Sequence, residues 1–432
     1  MGLKSHRRQK REFWKAWAGG QAFTFADQQS RHESVKVLHV IPSVSERSGG
    51  PGQAIIPMCG SLAAKGTDVL LASTDDGLPS PNRPGGPKRG AITRYKNLPV
   101  IFFPSQLGAS FKYSRPFALW LDKHVADFDL VHIHAIFNHS SIAAARACRG
   151  KGVPYIVRPL GTLDPWSMKQ KSLRKRLFWK AGVESMLTSA AAIHYTTNGE
   201  QEAVESSLGL NHGVVVPLGV DKPATPATDA TVKLAALFPA LLDHPYVLVL
   251  SRLHPKKALE VLVEAFASLI KRQEFRTWRL VLAGDGPDDY IASLKRLVAE
   301  QAATEFVVFP GWLEGEYKEA ALRNASLLAL PSYQENFGLC VMESLACGVP
   351  VLISPHVNLA PEILQAQAGW IAAVDKDSLE TALSQALSSD AELQRRGDAG
   401  QRLASSFDWP VVAARLTELY STVLQHSNAA MR

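Results

Sequence analysis

The chain has 432 residues, of which 46% are hydrophobic and 20% are charged, and its formal net charge is +7. The length exceeds one ordinary core, and the composition is typical of a soluble globular protein. No apolar run reaches the roughly 18–20 residues of a membrane span and the N-terminus lacks a secretory apolar core, so we expect a cytoplasmic chain. Cys59, Cys148, Cys340 and Cys347 form no CxxC pair, which favours reduced thiols over disulfides or a zinc site.

Residues 1–34 form a basic and aromatic tail. They hold seven Lys or Arg residues against three Asp or Glu residues. Their large aromatic residues are Phe13, Trp14, Trp17, Phe23 and Phe25. Such a mixture is typical of a segment that lies on an anionic membrane surface, and a disordered start explains it equally well.

From residue 35 the sequence alternates short β-branched runs with helical periodicity. The strands predicted for the first array are 35–41, 68–73, 130–135, 154–159 and 191–197. Such runs are typical of a parallel sheet that is covered on both faces, so we assign residues 35–220 to an N-terminal Rossmann-like domain. Within it, the basic, Gly- and Pro-rich stretch 85–99 predicts a mobile surface loop.

A second α/β array follows a break in the pattern. Residues 221–244, which are rich in Pro, Ala and Thr, predict a linker. The strands predicted beyond it are 246–251, 279–284, 306–311, 327–332 and 349–354. The pattern predicts a C-terminal Rossmann-like domain over 245–407, with the two domains facing a cleft. Residues 408–432 are predicted to form an amphipathic helix that packs back on the N-terminal domain.

Glycines follow the first predicted strand, at the end of the sheet where open α/β folds bind ligands. Gly49, Gly50 and Gly52 open a helical pattern, so backbone amides there can approach a phosphate. The spacing is not G-x-G-x-x-G, so the nicotinamide-dinucleotide fingerprint is absent, and an ordinary turn is the alternative.

The matching position of the second array carries two cations. Arg252 leaves its strand and Lys257 stands at the start of the next helix. Arg as a bidentate fork and Lys as a point charge suit a diphosphate, although solvated surface charges are the alternative.

Two later strand ends carry further candidates for the same ligand. Gly284 and Gly286 in "AGDGP" predict a tight turn that allows close backbone approach. Trp312 and Leu313 in "PGWL" are placed to border a base, and an ordinary core Trp is the alternative.

His132 and His134 alternate with Val131 and Ile133, so both histidines face one side of a buried strand. His134 is nearer the carboxyl end and therefore nearer the expected cleft. Two histidines in such a position require polar partners. Arg158 ends the next strand, and we expect its side chain at the same cleft.

Two D-x-D pairs raise the possibility of a divalent metal. Asp127 and Asp129 precede their strand, at the wrong end of the sheet, whereas Asp375 and Asp377 are typical of a helix N-cap. We therefore predict no metal ion and expect protein groups to neutralise a diphosphate.

Glu335 and Glu343 flank an apolar, glycine-bearing run. The pattern predicts a loop that contains Glu335 and a helix from Gly338 that places Glu343 in its second turn. The amides of Phe337, Gly338 and Leu339 lie between the two carboxylates, at a helix N-terminus that favours an anion.

The order of these motifs resembles that of a known family. The glycine-rich loop, "SRLHPKK", "AGDGP", "PGW" and "PSYQENFGLCVMESLACGVPV" are similar to motifs of the retaining GT-B glycosyltransferases of family 4, also called glycosyl transferases group 1. The resemblance implies an acceptor-binding N-terminal domain and a nucleotide-sugar-binding C-terminal domain. It implies a hexosyltransferase that uses a nucleotide-diphosphate sugar with retention of configuration, without a metal or another cofactor.

The resemblance assigns Arg252 and Lys257 to the donor diphosphate, together with Gly50 and the amides near Gly338. Ala258 stands where the family usually has glycine, which predicts a stiffer loop.

The same resemblance assigns roles around the sugar. Glu335 would bind the donor sugar, and Glu343 would hold the ribose hydroxyls. His134 matches the family position beside the anomeric centre.

Residues 158–180 resemble a subgroup associated with bacterial exopolysaccharide and cell-envelope assembly, which implies a lipid-linked or growing-glycan acceptor. The acceptor candidates are Arg158, Lys171, Arg174 and Lys175. The basic and apolar residues of 169–180 suit peripheral binding to the inner face of the plasma membrane, and a solvated helix face is the alternative. We expect no nucleic-acid partner.

Two other functions fit the same architecture. A nucleotide-sugar 2-epimerase shares the fold and the donor, but epimerases generally lack this combination of Arg, Lys and paired glutamates. A non-catalytic glycan-binding subunit is the second alternative. The sequence leaves the nucleotide, sugar, acceptor and linkage open.

Overall fold

The computed structural model describes residues 34–45, 49–80, 86–107, 111–164, 167–168, 172–223, 228–241 and 244–430. They form two compact units. The first runs to Tyr195 and also includes Leu208–Val214 and the C-terminal segment from Ala413. The second consists of Thr196–Ser207 and Val215–Val412. The predicted tail 1–34 lies, except for Ser34, outside the described residues.

The first unit is built on an eight-stranded sheet of order β3-β4-β2-β1-β5-β6-β7-β8. Its strands are β1 Lys36–Ile41, β2 Asp68–Thr74, β3 Ile92–Tyr95, β4 Leu98–Phe103, β5 Leu130–His134, β6 Tyr155–Arg158, β7 Ala192–Tyr195 and β8 Gly213–Val215. The pairings from β4 through β2, β1, β5 and β6 to β7 are parallel. The central strands are apolar and buried because helices cover both faces of such a sheet.

Among the residues that the structure describes before β7, five α-helices belong to this part of the chain. They are α1 Gly50–Ala64, α2 Arg115–His124, α3 His139–Lys151, α4 Ser172–Phe178 and α5 Glu184–Thr188. Side-chain caps define two of their starts, because Ser114 accepts from the amide of Phe117 and Asn138 accepts from that of Ser141. Gly152 ends α3 with a left-handed backbone.

The second unit contains a six-stranded sheet of order β11-β10-β9-β12-β13-β14. Its strands are β9 Tyr246–Leu250, β10 Arg279–Ala283, β11 Val307–Gly311, β12 Leu327–Leu330, β13 Val351–Ile353 and β14 Gly369–Ile371. All five pairings are parallel. One apolar core packs this sheet against the helices around Phe266, Leu294 and Leu383.

The other α-helices in the described part of the chain follow β7. They are α6 Asn198–Leu208, α7 Thr228–Leu237, α8 Leu259–Leu269, α9 Asp288–Glu300, α10 Gly315–Asn324, α11 Leu339–Ala346, α12 Ala360–Ala366, α13 Lys376–Leu387, α14 Asp390–Ser405 and α15 Trp409–Ala430. The prediction for α15 is confirmed: from Ala413 it belongs to the first unit, where the Tyr420 hydroxyl is 2.8 Å from Nδ1 of His132.

All ten predicted strands are present, and two regions that were predicted to be irregular contain regular elements. The predicted loop 85–99 contains β3, which pairs antiparallel with β4, and Arg89 forms an ion pair with Asp75 after β2. The predicted linker 221–244 contains α7. β3 pairs with β4 and α7 packs against α10, so tertiary contacts stabilise both of these short elements. No helix among the described residues is both long and apolar enough to cross a membrane.

Candidate active site

The loop that carries Arg252 is fixed by the glycines of "AGDGP". The amide of Ser251 donates to the carbonyl of Ala283, and that of Leu253 donates to Asp285. A Cβ atom on Gly284 would lie 1.8 Å from the Ser251 carbonyl oxygen, and one on Gly286 would lie 2.1 Å from that of Leu253. These glycines therefore allow close approach of protein backbone, and they set the position of Arg252.

Arg252 itself is exposed and pairs with none of the carboxylates that the structure describes. Its loop continues into the short 3-10 turn Pro255–Lys257 and then into α8. Ala258 joins the two with φ 53° and ψ 39°, a left-handed conformation in which alanine is strained. The amide of Tyr333 donates to the carbonyl of Lys256 and so ties this turn to the loop of Glu335.

Lys257 and Glu335 form an ion pair, although 78 residues separate them in sequence. Both side chains are largely buried, with 13% and 20% of their surface exposed. Burial raises the pKa of Glu335, but the charge and hydrogen bond of Lys257, with the charges of Lys256 and Arg252, outweigh it and lower the pKa overall. Glu335 is thus an ionised carboxylate among three cations.

Backbone and amide contacts hold Glu335 in place. Its amide donates to the His356 carbonyl, and its own carbonyl accepts from the amide of Asn358, each at 3.0 Å. The next residue, Asn336, donates from Nδ2 to Oγ1 of Thr196 at 2.9 Å. Sequence reasoning did not find Asn336 or Asn358, because their partners are distant in the chain.

The helix start after Glu335 has the expected geometry. Gly338 is the N-cap of α11 with φ 71°, and it makes no side-chain cap hydrogen bond. Phe337 is buried, with its ring 6.1 Å from that of Phe407, so only its backbone is available to a ligand. Leu339 is the first helical residue, and Glu343 lies in the second turn, as predicted. The uncapped amides and helix dipole form a site suited to an anion.

Glu343 has a partner that the sequence did not reveal. Nζ of Lys318, on α10, donates to Oε1 of Glu343 at 2.6 Å. Asp221 lies nearby: its pKa is raised, first by burial and then by the charge of Glu343, while Lys318 lowers it. Nothing in the spacing of these three residues could have predicted the cluster.

The remaining donor candidates divide into accessible and structural positions. Trp312 is partly buried and donates from Nε1 to Glu314 at 3.2 Å, whereas Leu313 is buried. In the first unit, a Cβ on Gly52 would lie 2.4 Å from the Ser45 carbonyl oxygen, but one on Gly50 would meet nothing within 4 Å. Gly49 has φ 94°. Gly50 therefore has free space beside it, and Gly52 is required for packing.

The two histidines of β5 belong to a buried cluster of four. His132 and His134 stack with ring centroids 4.3 Å apart, which confirms that they share a face. Nε2 of His134 is 3.0 Å from Nδ1 of His39, and Nε2 of His132 is 3.1 Å from Nδ1 of His194. The sequence prediction lacked His39, His194 and the Tyr420 partner of His132.

Three of these histidines, His39, His132 and His134, are held neutral. Burial, with a smaller contribution from the charge of Arg158, lowers the pKa of His39 to about 3. Burial is also the main cause that lowers the pKa values of His132 and His134. One ring nitrogen from each of these three lies within 4.8 Å of the others, a spacing that a metal ion could use. The adjacent guanidinium of Arg158 opposes a cation there.

The acceptor candidates are dispersed. Arg158 is 1% exposed and lies beside the histidines, and its role in binding an acceptor stays a prediction. Lys175 donates to the carbonyl of Ser167, and its ammonium lies 5.2 Å from the Phe137 ring centroid. Lys171 and the side chain of Arg174 lie outside the described residues.

The D-x-D pairs have structural partners. Asp129 accepts from the amide of Lys36 at 2.9 Å, and Asp127 lies 3.1 Å from Nδ1 of His124. Asp375 caps α13 by accepting from the amide of Ser378 at 2.8 Å, which confirms the N-cap prediction.

The comparisons with known proteins define the class. Residues 238–403 match the family "Glycosyl transferases group 1", and residues 49–219 match the "Glycosyl transferase 4-like domain". The structure superposes on sucrose-phosphate synthase from Thermosynechococcus elongatus with a TM-score of 0.74 and 21% identity, covering 91% of this chain and 100% of the other. The chain has the GT-B fold and belongs to the family 4 glycosyltransferases, an enzyme family.

Two curated relatives illustrate the range of similarity. A GDP-mannose-dependent alpha-(1-6)-phosphatidylinositol monomannoside mannosyltransferase from Mycolicibacterium smegmatis is 30% identical over 52% of this chain and 60% of its own length. A GDP-mannose:cellobiosyl-diphosphopolyprenol alpha-mannosyltransferase from Xanthomonas oryzae pv. oryzae is 23% identical over 90% of this chain and 97% of its own length. Several other relatives match over about half of their length.

Proposed function

We propose that the protein is a retaining, metal-independent glycosyltransferase that moves a sugar from a nucleotide-diphosphate sugar to a lipid-linked or growing-glycan acceptor. The observation that carries the proposal is the cluster of Arg252, Lys257 and Glu335 beside the uncapped start of α11. Few other ligands need two cations, a helix N-terminus and a carboxylate within one small region.

The donor diphosphate suits this charge distribution. Arg252 is exposed and unpaired with described carboxylates, so it can bind a phosphate without losing a protein partner. Lys257 already holds Glu335, and a phosphate oxygen can accept one of its three ammonium hydrogens. The α11 amides add a site for a phosphate oxygen. Together these groups can neutralise a diphosphate without a metal.

The chemistry follows from the same groups. As the bond from the anomeric carbon to the phosphate oxygen breaks, negative charge grows on the leaving diphosphate and the sugar becomes oxocarbenium-like. Each preorganised donor aimed at developing charge contributes ~2.7–4 kcal/mol. The acceptor oxygen attacks from the face the diphosphate leaves, and a phosphate oxygen takes the acceptor proton. Glu335, kept ionised, accepts from a sugar hydroxyl.

Mannose is the first donor to test. Both relatives described above use GDP-mannose, and both act on lipid-linked acceptors according to their names. We propose GDP-mannose as donor and a polyprenyl-diphosphate-linked or phosphoinositide-linked glycan as acceptor. The roles proposed for His134, Gly49, Gly50 and Gly52 stay predictions.

The decisive experiment measures donor binding and then turnover. Thermal unfolding of the full chain is recorded with GDP-, UDP- and ADP-sugars, and a ligand present at 100 times its Kd stabilises by ~2.7 kcal/mol. The preferred donor is then incubated with lipid-linked glycans, with and without EDTA. We expect acceptor-dependent release of the nucleoside diphosphate that EDTA does not abolish, and an α-linked product from an α-linked donor.

Other outcomes identify the alternatives. Conversion of the donor alone to its 2-epimer would show that the protein is an epimerase and not a transferase. Tight donor or glycan binding without turnover over a broad acceptor panel would indicate a non-catalytic subunit. Loss of activity in EDTA that is restored by Mg²⁺ would overturn the metal-independent mechanism.

We further propose that α4 and the turn after it bring the protein to an anionic membrane. Leu177 is 72% exposed, and Arg176 and Lys180 are also exposed around it. A basic surface with an exposed apolar side chain suits peripheral binding. Co-sedimentation with phosphatidylglycerol vesicles should fall in Arg176→Glu/Lys180→Glu and not in the control Lys295→Glu/Arg296→Glu on α9. Equal co-sedimentation of both variants would contradict membrane binding by α4 and the turn after it.

A further inference from the structure

One lysine and two carboxylates interact beside the proposed ribose position. Lys318 lies on α10, and its ammonium donates to Oε1 of Glu343 on α11 at 2.6 Å. The two side chains are 22% and 21% exposed, so water screens the pair only partly. The ion pair therefore restricts the rotamer of Glu343 more than a surface pair would.

Asp221 is the second carboxylate. Its segment is anchored, because the amide of Val220 donates to the carbonyl of Phe407 at 2.9 Å and Lys222 lies 3.0 Å from Asp408. The pKa of Asp221 is raised by burial and by Glu343, and lowered by Lys318. Asp221 is exposed, but its pKa responds to both charges of the pair, so its carboxylate is close enough to repel that of Glu343.

We propose that Lys318 is a positioning residue for donor binding, which holds Glu343 by one carboxylate oxygen against the repulsion of Asp221 and leaves the other oxygen to accept from a ribose hydroxyl. The inference rests on the proposed function, in which Glu343 binds the ribose. Lys318 itself touches no part of the donor.

The arrangement makes a specific prediction about selectivity for ribose. Without Lys318, the charge of Asp221 drives Glu343 away from the ribose, and the hydrogen bond from the ribose hydroxyl is lost. A nucleotide without ribose hydroxyls never makes that bond, so its affinity does not depend on Lys318. The ratio of the two affinities therefore reports the position of Glu343, whereas general damage to the site weakens both.

The experiment is calorimetric titration of the full chain with GDP or UDP, whichever wild type binds more tightly, and with its 2′,3′-dideoxy analogue. In Lys318→Met we expect the Kd of the ribonucleotide to rise about tenfold and that of the dideoxy analogue to stay unchanged. Lys318→Arg, which keeps the charge, should retain most of the discrimination. Arg323→Met, which removes the ion pair of Arg323 with Glu319 on the same helix, is the matched control and should bind as wild type does.

A double variant tests the part of Asp221. If repulsion displaces Glu343, Asp221→Asn/Lys318→Met should recover part of the lost ribonucleotide affinity. Unchanged discrimination in Lys318→Met, or equal weakening of both nucleotides, overturns the inference while the proposed function stands. Absence of nucleotide binding in wild type overturns the proposed function, and the inference with it. The thermal midpoint of each variant, measured first, identifies any loss of folding.

Discussion

Two polar clusters, one in each unit, differ in whether their side chains are charged. In the second unit, Lys257, Glu335, Lys318 and Glu343 remain charged in two ion pairs whose side chains keep 13–22% of their surface exposed. In the first unit, His39, His132 and His134 are fully buried, and burial lowers their pKa values.

The difference separates groups that can exchange partners from groups that cannot. A partly exposed ion pair can open toward a ligand of matching charge at small cost, because water and the ligand replace the lost partner. A buried imidazole that ionises loses hydration without gaining a partner, so the histidine cluster is stable only when neutral. We therefore expect substitutions in the cluster of ion pairs to affect donor binding. Substitutions in the histidine cluster should instead affect the pH dependence of stability.

The largest effect is expected at the cations of the donor cluster. Arg252→Ala and Lys257→Ala should each lower kcat/KM at least about 100-fold, because each removes a preorganised charge from the leaving diphosphate. Arg252→Ala should leave the thermal midpoint unchanged, since its side chain is exposed. Turnover is measured by release of nucleoside diphosphate, with Lys295→Ala as the control. Turnover near that of wild type in both variants would show that the diphosphate binds elsewhere.

The loop that carries Arg252 should depend on the close packing of Gly284 against it. In Gly284→Ala the new methyl group would overlap the Ser251 carbonyl, so we expect a loss of about 3 kcal/mol in the free energy of unfolding. Gly50→Ala is the matched control, because a Cβ there meets no neighbour. Urea unfolding measures both. Equal stability of the two variants would contradict the tight packing of Gly284.

The two clusters should lose their contributions to stability in different ranges of acidic pH. A histidine whose pKa is lower in the folded state than in the unfolded chain gives stability that is complete above pH ~6.5 and is lost as the pH falls toward its folded value, by about 1.4 kcal/mol per unit. For His39 that window extends from about 6.5 down to about 3. The pKa of Glu335 is also lowered, but from 4.5, so its contribution is lost only at lower pH.

The test is urea unfolding between pH 7.5 and 5. In His39→Gln the free energy of unfolding should fall less steeply with acid than in wild type. The difference in slope should correspond to the uptake of about one proton fewer on unfolding, or about 1.4 kcal/mol per pH unit. The exposed His426→Gln serves as the control and should keep the wild-type slope. A His39→Gln slope equal to that of wild type would mean that His39 does not stay neutral in the folded protein.

The smallest effect concerns the turn that follows Lys257. Ala258 has a left-handed backbone, so Ala258→Gly relieves strain of ~1–2 kcal/mol but adds chain entropy of ~0.4–1 kcal/mol to the unfolded state and removes a buried methyl group. We expect a change below about 1 kcal/mol in stability, with KM for the donor within about twofold of wild type. A larger loss of activity would show that catalysis needs the stiffness of this turn.

The sequence by itself determined the two arrays of parallel strands, the helix start at Gly338 and the second-turn position of Glu343. Each of these depends on local periodicity or on a glycine within a few residues. It also indicated that His132 and His134 share a face, because side chains alternate along a strand. The antiparallel β3 and the helix α7 were missed, since β3 has only four residues and α7 lies in a stretch rich in Pro, Ala and Thr.

Only the tertiary structure decided which charges meet. Lys257 and Glu335 are 78 residues apart, and Lys318 and Glu343 are 25 apart, on different elements. It also showed that Gly284 accommodates a neighbouring loop and that Arg158 is buried. Periodicity fixes which face of an element a side chain occupies, but the partner on that face depends on the packing of elements that are distant in sequence.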